Sequence, residues 1–114
     1  ERQAVSRISP ETLASWLEGD DPPIVLDVRS RAAAGQGGGI PGSIRVPLDD
    51  IETWARDRPR ERPIVTYCTC PEDASAVRAA ELLQAEGFAV SALRGGLAAW
   101  QARDADGVGE EVAA

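Results

Sequence analysis

The stretch from Ile64 to Gly87 constrains this chain more than any other, because it joins an apolar run, a cysteine, a short polar loop and an amphipathic segment. Ile64, Val65 and Tyr67 belong to a β-branched and aromatic run, which is typical of a parallel strand buried on both faces. Beyond the loop, the apolar residues that recur at helical spacing are Ala76, Val77, Ala79, Ala80 and Leu83. The sequence therefore predicts a strand, a loop and a helix in that order.

Cys68 is expected at the carboxyl end of this strand and below the N-terminus of the helix. Ser75 is the expected N-cap of the helix, and Gly87 the expected residue just beyond its C-terminus. The unpaired amides and partial positive charge of a helix N-terminus stabilise a thiolate or a bound anion, so Cys68 is the candidate nucleophile. The alternative interpretation is an inert thiol buried at the end of a strand.

Cys68 and Cys70 are the only cysteines of the chain. A disulfide between them would close a very small and strained ring, so a reducing compartment is favoured over a secreted protein. Cys70 is either a small residue that fills the loop or a resolving thiol that attacks a persulfide or sulfenic acid on Cys68. Cys68 is expected to be the reactive thiol, because only Cys68 follows the strand directly.

The composition excludes several classes of function. The 114 residues carry 19 acidic and 12 basic side chains, and a net charge of −7 disfavours nucleic acid and anionic lipid as partners. Histidine and lysine are absent, which removes Cys–His proteolysis and Schiff-base chemistry. No apolar run approaches the ~18 residues of a membrane span, and nothing in the pattern calls for a cofactor or a metal. We expect one domain over residues 1–114, with a core at about 9–103 and an acidic, glycine-containing tail at 104–114.

The other segments alternate between predicted helices and strands. In chain order, we expect a helix capped by Ser9 with Leu13, Trp16 and Leu17 on its apolar face, a strand at Ile24 to Val28, a short strand at Ile44 to Val46, a helix from about Asp49 to Arg56, the strand and helix described above, a strand around Phe88 to Leu93, and a helix after Gly95 and Gly96 that bears Leu97 and Trp100. Such alternation predicts a parallel sheet with helices on both faces. Ligands of these folds collect at the carboxyl ends of the strands, where Arg29 and Arg94 should join Cys68.

Two segments carry alternative interpretations. The glycine-rich segment from Ser30 to Gly42 has neither a Lys-Ser/Thr pair nor a Gly-x-Gly-x-x-Gly pattern, so we interpret it as a loop and not as a nucleotide site. Four arginines alternate with acids and prolines at positions 56–62. A solvated turn, at the edge opposite Cys68, is favoured there over a docking patch.

Five short motifs, in order, resemble the rhodanese homology domain: Val25 to Arg29, Ile40 to Ile44 followed by Val46 and Pro47, Ile64 to Cys68, Ala79-Ala80 with Gly87-Phe88, and Leu93 to Gly96 before Trp100. The resemblance implies a three-layer α/β domain with a parallel sheet of about five strands. It also implies that Cys68 takes up a sulfane sulfur as a persulfide and passes it to a nucleophilic acceptor. The active-site loop would comprise Thr69, Cys70, Pro71, Glu72, Asp73, Ala74 and Ser75, supported by Asp27, Arg29 and Arg94.

The chain departs from the common family pattern at informative places. Gly39 stands where the family usually has a histidine before Ile-Pro-Gly. Ala74 stands where the phosphatase branch has its arginine, and Glu72 and Asp73 add negative charge, so phosphatase and arsenate-reductase activity are not expected. We expect the same acidic pair to oppose the approach of a dianion such as thiosulfate.

The resemblance leaves two functional hypotheses. The first is a sulfurtransferase that uses thiosulfate or a persulfide as donor and a thiol or cyanide as acceptor. The second is a catalytically weak module that binds a protein partner, regulates or senses oxidants. Fold analogy alone does not choose between them. We expect a cytoplasmic location, either as an independent protein or as the cytoplasmic domain of a larger one, since the Cys-Thr-Cys-Pro loop resembles modules fused behind small membrane-spanning families.

Overall fold

The computed structural model of the chain describes residues 5–30, 39–69 and 73–103. The elements, in chain order, are β1 (Ser6–Ile8), α1 (Pro10–Leu17), β2 (Ile24–Asp27), β3 (Ile44–Arg45), a 3-10 turn (Leu48–Asp50), α2 (Ile51–Ala55), β4 (Ile64–Tyr67), α3 (Ala74–Ala85), β5 (Val90–Leu93) and α4 (residues 96–103). Within these ranges, none of the helices reaches the length and hydropathy of a membrane-spanning helix. The predictions for Cys70, Pro71, Glu72, most of the glycine-rich segment and the tail at 104–114 fall outside the described residues.

The five strands form one parallel sheet in the order β1-β5-β4-β2-β3. The central pair is β2 and β4, in register from Ile24 opposite Ile64 to Asp27 opposite Tyr67. Both strands therefore end at the same edge. The prediction of a parallel α/β fold is confirmed.

Alternate residues of the central strands pack into two separate core layers. Val25, Val65 and Tyr67 pack with side chains of α1 and α4 on one face of the sheet. Leu26, Ile64 and Cys68 pack with α2 and α3 on the other face. Because β2 and β4 are covered on both faces, their sequences are largely apolar and show no regular alternation of apolar and polar residues.

Local residues fix the beginning of α1 and the end of α3, as the sequence predicted. The Ser9 hydroxyl accepts a hydrogen bond of 3.1 Å from the Thr12 amide, and Pro10 occupies the first helical position. At the end of α3, Gly87 follows the C-cap residue Glu86 with a φ of 99°. That left-handed conformation costs glycine little and other residues more.

The structure corrects two expectations near the N-terminus. Strand β1 was missed, since two of its three residues are exposed and no hydrophobic pattern marks it. It exists because its backbone pairs with β5, with Ser6 opposite Ser91. Trp16 was expected on the apolar face of α1, but it is 40% exposed, whereas Leu13 is fully buried.

Two arginines of the segment 56–62 lie against aromatic side chains. The guanidinium of Arg58 lies 4.9 Å from the ring centroid of Trp54, and that of Arg60 lies 4.7 Å from the ring of Phe88. Arg60 also donates a 2.9 Å hydrogen bond to the carbonyl of Glu86. These contacts fit a solvated turn whose arginines fasten it to the amino-terminal side of the sheet.

Leu26 and Ile44 test the two-layer core, because they lie opposite each other in β2 and β3 but differ in burial. Leu26 is fully buried and Ile44 is 46% exposed. Leu26→Ala should lower the free energy of unfolding by about 2–5 kcal/mol, since it leaves a cavity between sheet and helices. Ile44→Ala should change it by under about 1 kcal/mol. Urea denaturation followed by tryptophan fluorescence measures both, and equal losses would contradict this core.

Candidate active site

Cys68 directly follows β4, and its side chain is fully buried in the layer beneath α3. Two residues earlier, the hydroxyl of Thr66 donates a 2.8 Å hydrogen bond to the carbonyl of Ala76 in the first turn of α3. This bond fastens the end of the strand to the beginning of the helix. It therefore places Cys68 next to the N-terminus of α3, which begins at Ala74.

The beginning of α4 packs directly onto the backbone of Cys68. The amide of Leu97 donates a 3.1 Å hydrogen bond to the Cys68 carbonyl. Gly96, with a φ of 61°, comes so close that a Cβ on it would lie only 2.1 Å from the same oxygen. Only glycine fits at this position, for both steric and conformational reasons. The sequence predicted a turn at Gly95 and Gly96 but gave no sign of its contact with Cys68.

Asp73, and not Ser75, is the N-cap residue of α3, so the predicted N-cap was two residues too late. Asp73 has a left-handed backbone with a φ of 60°, and its side chain makes no capping hydrogen bond. The carboxylate Oδ2 instead accepts hydrogen bonds of 3.1 Å from Arg7 Nη1 and from the Gly95 amide.

Asp73 is therefore not the exposed acid that the sequence suggested. It is 4% exposed, and its charge is paired with Arg7 of β1. Pairing with Arg7 reduces the negative charge that this carboxylate projects, and so reduces the expected repulsion of thiosulfate at this residue. Glu72, the other acid of the pair, lies outside the described residues.

A buried ion pair lies at the end of β2. Arg29 donates to both carboxylate oxygens of Asp27, with Nε 2.9 Å from Oδ1 and Nη2 2.7 Å from Oδ2. Both residues are at most 5% exposed. Burial alone would raise the pKa of Asp27, but the hydrogen bonds and charge of Arg29 outweigh it and hold that pKa below its ordinary value of 3.8. The hydrogen bond to Asp27 in turn raises the pKa of Arg29.

Tyr67 connects this ion pair to the turn that precedes β3. Its hydroxyl accepts a 3.1 Å hydrogen bond from the Ile40 amide and shares a 3.1 Å hydrogen bond with the Ser43 hydroxyl. Burial raises the pKa of Tyr67 above that of free tyrosine. A Cβ at Gly39 would lie 3.4 Å from the Tyr67 hydroxyl and 3.6 Å from Arg29 Nη2, so this position faces the ion pair directly. Sequence reasoning took Tyr67 for a core residue and missed its hydroxyl.

The predicted site residues therefore divide into two groups. Cys68 and Asp73 both contact the turn that begins α4. Asp27 and Arg29 instead surround Tyr67, whose ring packs on the opposite face of the sheet from Cys68. Arg94 is exposed and donates a 3.3 Å hydrogen bond to the carbonyl of Arg7. In the loop itself, Thr69 and Ala74 are exposed and Ser75 is half-buried.

Gly96 and Gly42 both have a left-handed backbone conformation, with φ values of 61° and 82°, so they can be compared directly. Among the described residues, a Cβ on Gly42 would meet no atom within 4 Å. Gly42→Ala should therefore lower the free energy of unfolding by only about 1–2 kcal/mol, the cost of the backbone conformation. Gly96→Ala should cost about 1–3 kcal/mol more, because the methyl overlaps the Cys68 carbonyl. Chemical denaturation of both variants checks this, and equal losses would refute the contact.

The buried ion pair should make stability depend on pH in acid. Because the pKa of folded Asp27 is depressed, its contribution to stability is fully present above the unfolded value of about 3.9. That contribution is lost as the pH falls through the folded pKa. Asp27→Asn should cost about 3–5 kcal/mol at pH 7, since it leaves Arg29 buried without its carboxylate. Unfolding free energies from pH 7 to pH 2 should also show a shallower acid loss for Asp27→Asn than for the wild type. Asp20→Asn replaces an exposed acid and should change neither the free energy of unfolding at pH 7 nor its loss in acid. An unaltered acid slope in Asp27→Asn would contradict this role of the ion pair.

Comparison with known proteins gives the same family as the motifs. The family model described as the rhodanese-like domain matches residues 9–103. A protein of Allochromatium vinosum named sulfurtransferase is 31% identical over 97 residues, which cover 84% of this chain and 88% of that protein.

Solved structures show the same fold in other bacteria. The BH2092 protein of Bacillus halodurans is 30% identical with a TM-score of 0.76, over 87% of this chain and 73% of its own. The reduced CoADR-RHD protein of Bacillus anthracis is 25% identical with a TM-score of 0.69, over 84% of this chain. This chain spans only 16% of the length of that protein. Because the family model matches residues 9–103, the chain belongs to the rhodanese-like domain family.

Proposed function

We propose that this protein is a sulfurtransferase that carries a sulfane sulfur as a persulfide on Cys68. The observation that carries the proposal is the position of Cys68 directly after the central strand β4, with its side chain in the core layer of α3 and its carbonyl bonded to the Leu97 amide. The positive end of α3 favours an anionic sulfur there. The sulfurtransferase of Allochromatium vinosum supports the same class of reaction.

The proposed reaction has two displacement steps. Cys68 loses its proton to solvent, and the thiolate attacks the outer sulfur of thiosulfate. The S–S bond of thiosulfate breaks, sulfite leaves with the bonding electron pair, and Cys68 becomes a persulfide anion. A thiolate or cyanide then attacks the terminal sulfur, and the electron pair of the broken S–S bond returns to Cys68. A small persulfide can replace thiosulfate as donor, in which case a thiolate leaves.

The pairing of Asp73 with Arg7 favours anionic donors more than the sequence suggested. A carboxylate that is 4% exposed and ion-paired contributes little repulsion at the edge where the donor would arrive. Arg94, which is exposed beside Arg7, adds positive charge at the same edge. We therefore keep thiosulfate as a donor together with small persulfides.

A second candidate function is a rhodanese-like module that binds a partner, regulates or senses oxidants with little turnover. The observation that favours it is the burial of Cys68, whose side chain exposes no surface. A thiol must be reached by its donor, and burial makes such access slow. The two candidates differ in whether Cys68 takes up sulfur and releases it again.

Sulfur loading at Cys68 separates the candidates. After incubation with thiosulfate or glutathione persulfide, the intact wild type should gain about 32 Da, the mass of one sulfur atom, and lose it when cyanide is added. Cys68→Ser should abolish the gain. The matched variant Cys70→Ser should still be loaded, and a longer-lived adduct there would assign Cys70 a resolving role. Mass spectrometry of peptides locates the adduct, and a wild type that gains no mass from either donor would refute the sulfurtransferase proposal.

A further inference from the structure

The structure contains one strained residue that the proposed chemistry does not explain. Among the described residues, Asp73 is the only non-glycine residue with a positive φ. A left-handed backbone costs energy for a residue with a Cβ, and glycine would avoid that cost. What aspartate offers at this position and glycine does not is its carboxylate.

The Asp73 carboxylate joins three separate elements. Its backbone immediately precedes α3, while Oδ2 accepts from Arg7 Nη1 in β1 and from the Gly95 amide in the turn before α4, both at 3.1 Å. These partners lie 66 and 22 residues away in sequence. A carboxylate that accepts from a cation and an amide at once makes strong, charge-assisted hydrogen bonds.

The same turn also holds the other end of the active-site loop. Leu97, two residues beyond Gly95, donates its amide to the Cys68 carbonyl at 3.1 Å, and Gly96 lies against that oxygen. Cys68 and Asp73, which bound the loop, are thus both bonded to the segment 95–97. The distance between the two ends of the loop is set by this one turn.

We infer that Asp73, held by Arg7 and Gly95, is a positioning residue that holds the N-terminus of α3 in place beside Cys68. This inference rests on the proposed sulfurtransferase function. A helix N-terminus that is loosely held stabilises negative charge on the sulfur poorly, and small misplacements of catalytic groups cost large factors in rate. The role differs from capping, because the carboxylate makes no hydrogen bond to its own helix.

The experiment uses substitutions that preserve the backbone conformation at position 73. Asp73→Gly tolerates the left-handed φ but removes the carboxylate, and Asp73→Asn keeps an acceptor for the Gly95 amide while it loses the charge. Arg7→Ala removes the cation, and Arg7→Lys restores one. Arg78→Ala is the matched control, since it breaks an exposed ion pair with Glu81 within α3. Circular dichroism identifies a temperature at which every variant is folded, and all rates are measured there.

Single-turnover loading of Cys68 by saturating thiosulfate, and unloading by cyanide, supply the rates. Asp73→Gly should slow sulfur transfer by about 10- to 100-fold in the folded protein. Asp73→Asn should lie between Asp73→Gly and the wild type, Arg7→Ala should be slowed, and Arg7→Lys should recover part of the loss. Arg78→Ala should match the wild type. A residue that merely stabilised the fold would leave these rates unchanged once folding is complete.

The outcomes separate this inference from the proposed function. If the wild type is loaded and Asp73→Gly transfers sulfur at the wild-type rate, the positioning role is overturned while the sulfurtransferase proposal stands. If Asp73→Gly is slow but Arg7→Ala is not, the part assigned to Arg7 is overturned. If neither thiosulfate nor glutathione persulfide loads the wild type, the proposed function fails and the positioning role fails with it.

Discussion

The close approach of Gly96 to the Cys68 carbonyl is the contact on which the active edge of this domain depends. It brings the beginning of α4 directly onto the end of the central strand, so that the Leu97 amide can bond to the same oxygen. A side chain at position 96 would separate helix from strand, because the required space does not exist. The neighbouring amide of Gly95 then reaches Asp73, and the two ends of the cysteine loop are bonded to one turn.

Each of the two buried carboxylates that the structure describes is paired with an arginine, which matters because the chain has a net charge of −7. Asp27 is neutralised by Arg29 at the end of β2, and Asp73 by Arg7 of β1. An unpaired buried carboxylate would carry a large desolvation cost and would also repel an anionic sulfur. With both acids paired, neither Asp27 nor Asp73 adds an unbalanced negative charge at the carboxyl edge of the sheet. A persulfide anion on Cys68, as proposed, is compatible with such an edge.

The two buried pairs stabilise different parts of the site. Asp27 and Arg29 lie with Tyr67, whose hydroxyl bonds to the turn at Ile40 and Ser43. That network orders the chain that leads into β3, on the face of the sheet opposite the cysteine. Asp73 acts on the cysteine side, where it connects α3 to β1 and to the turn before α4. The two ion pairs therefore stabilise separate parts of the site, although both lie at the carboxyl edge of the sheet.

The sequence by itself determined the parts of this protein that depend on neighbours in the chain. The β-branched runs specified β2 and β4, Ser9 and Pro10 specified the start of α1, and the order of strand, cysteine and helix placed Cys68 at the carboxyl edge. Only the tertiary structure decided the rest. Strand β1 has too few buried residues to leave a pattern and forms because β5 offers it a backbone partner. The N-cap residue of α3 is Asp73 and not Ser75, and the Asp73 carboxylate bonds to an arginine and an amide that are distant in sequence. Hydrogen bonds and ion pairs between distant residues are invisible to local patterns, since their energy exists only after the chain has folded.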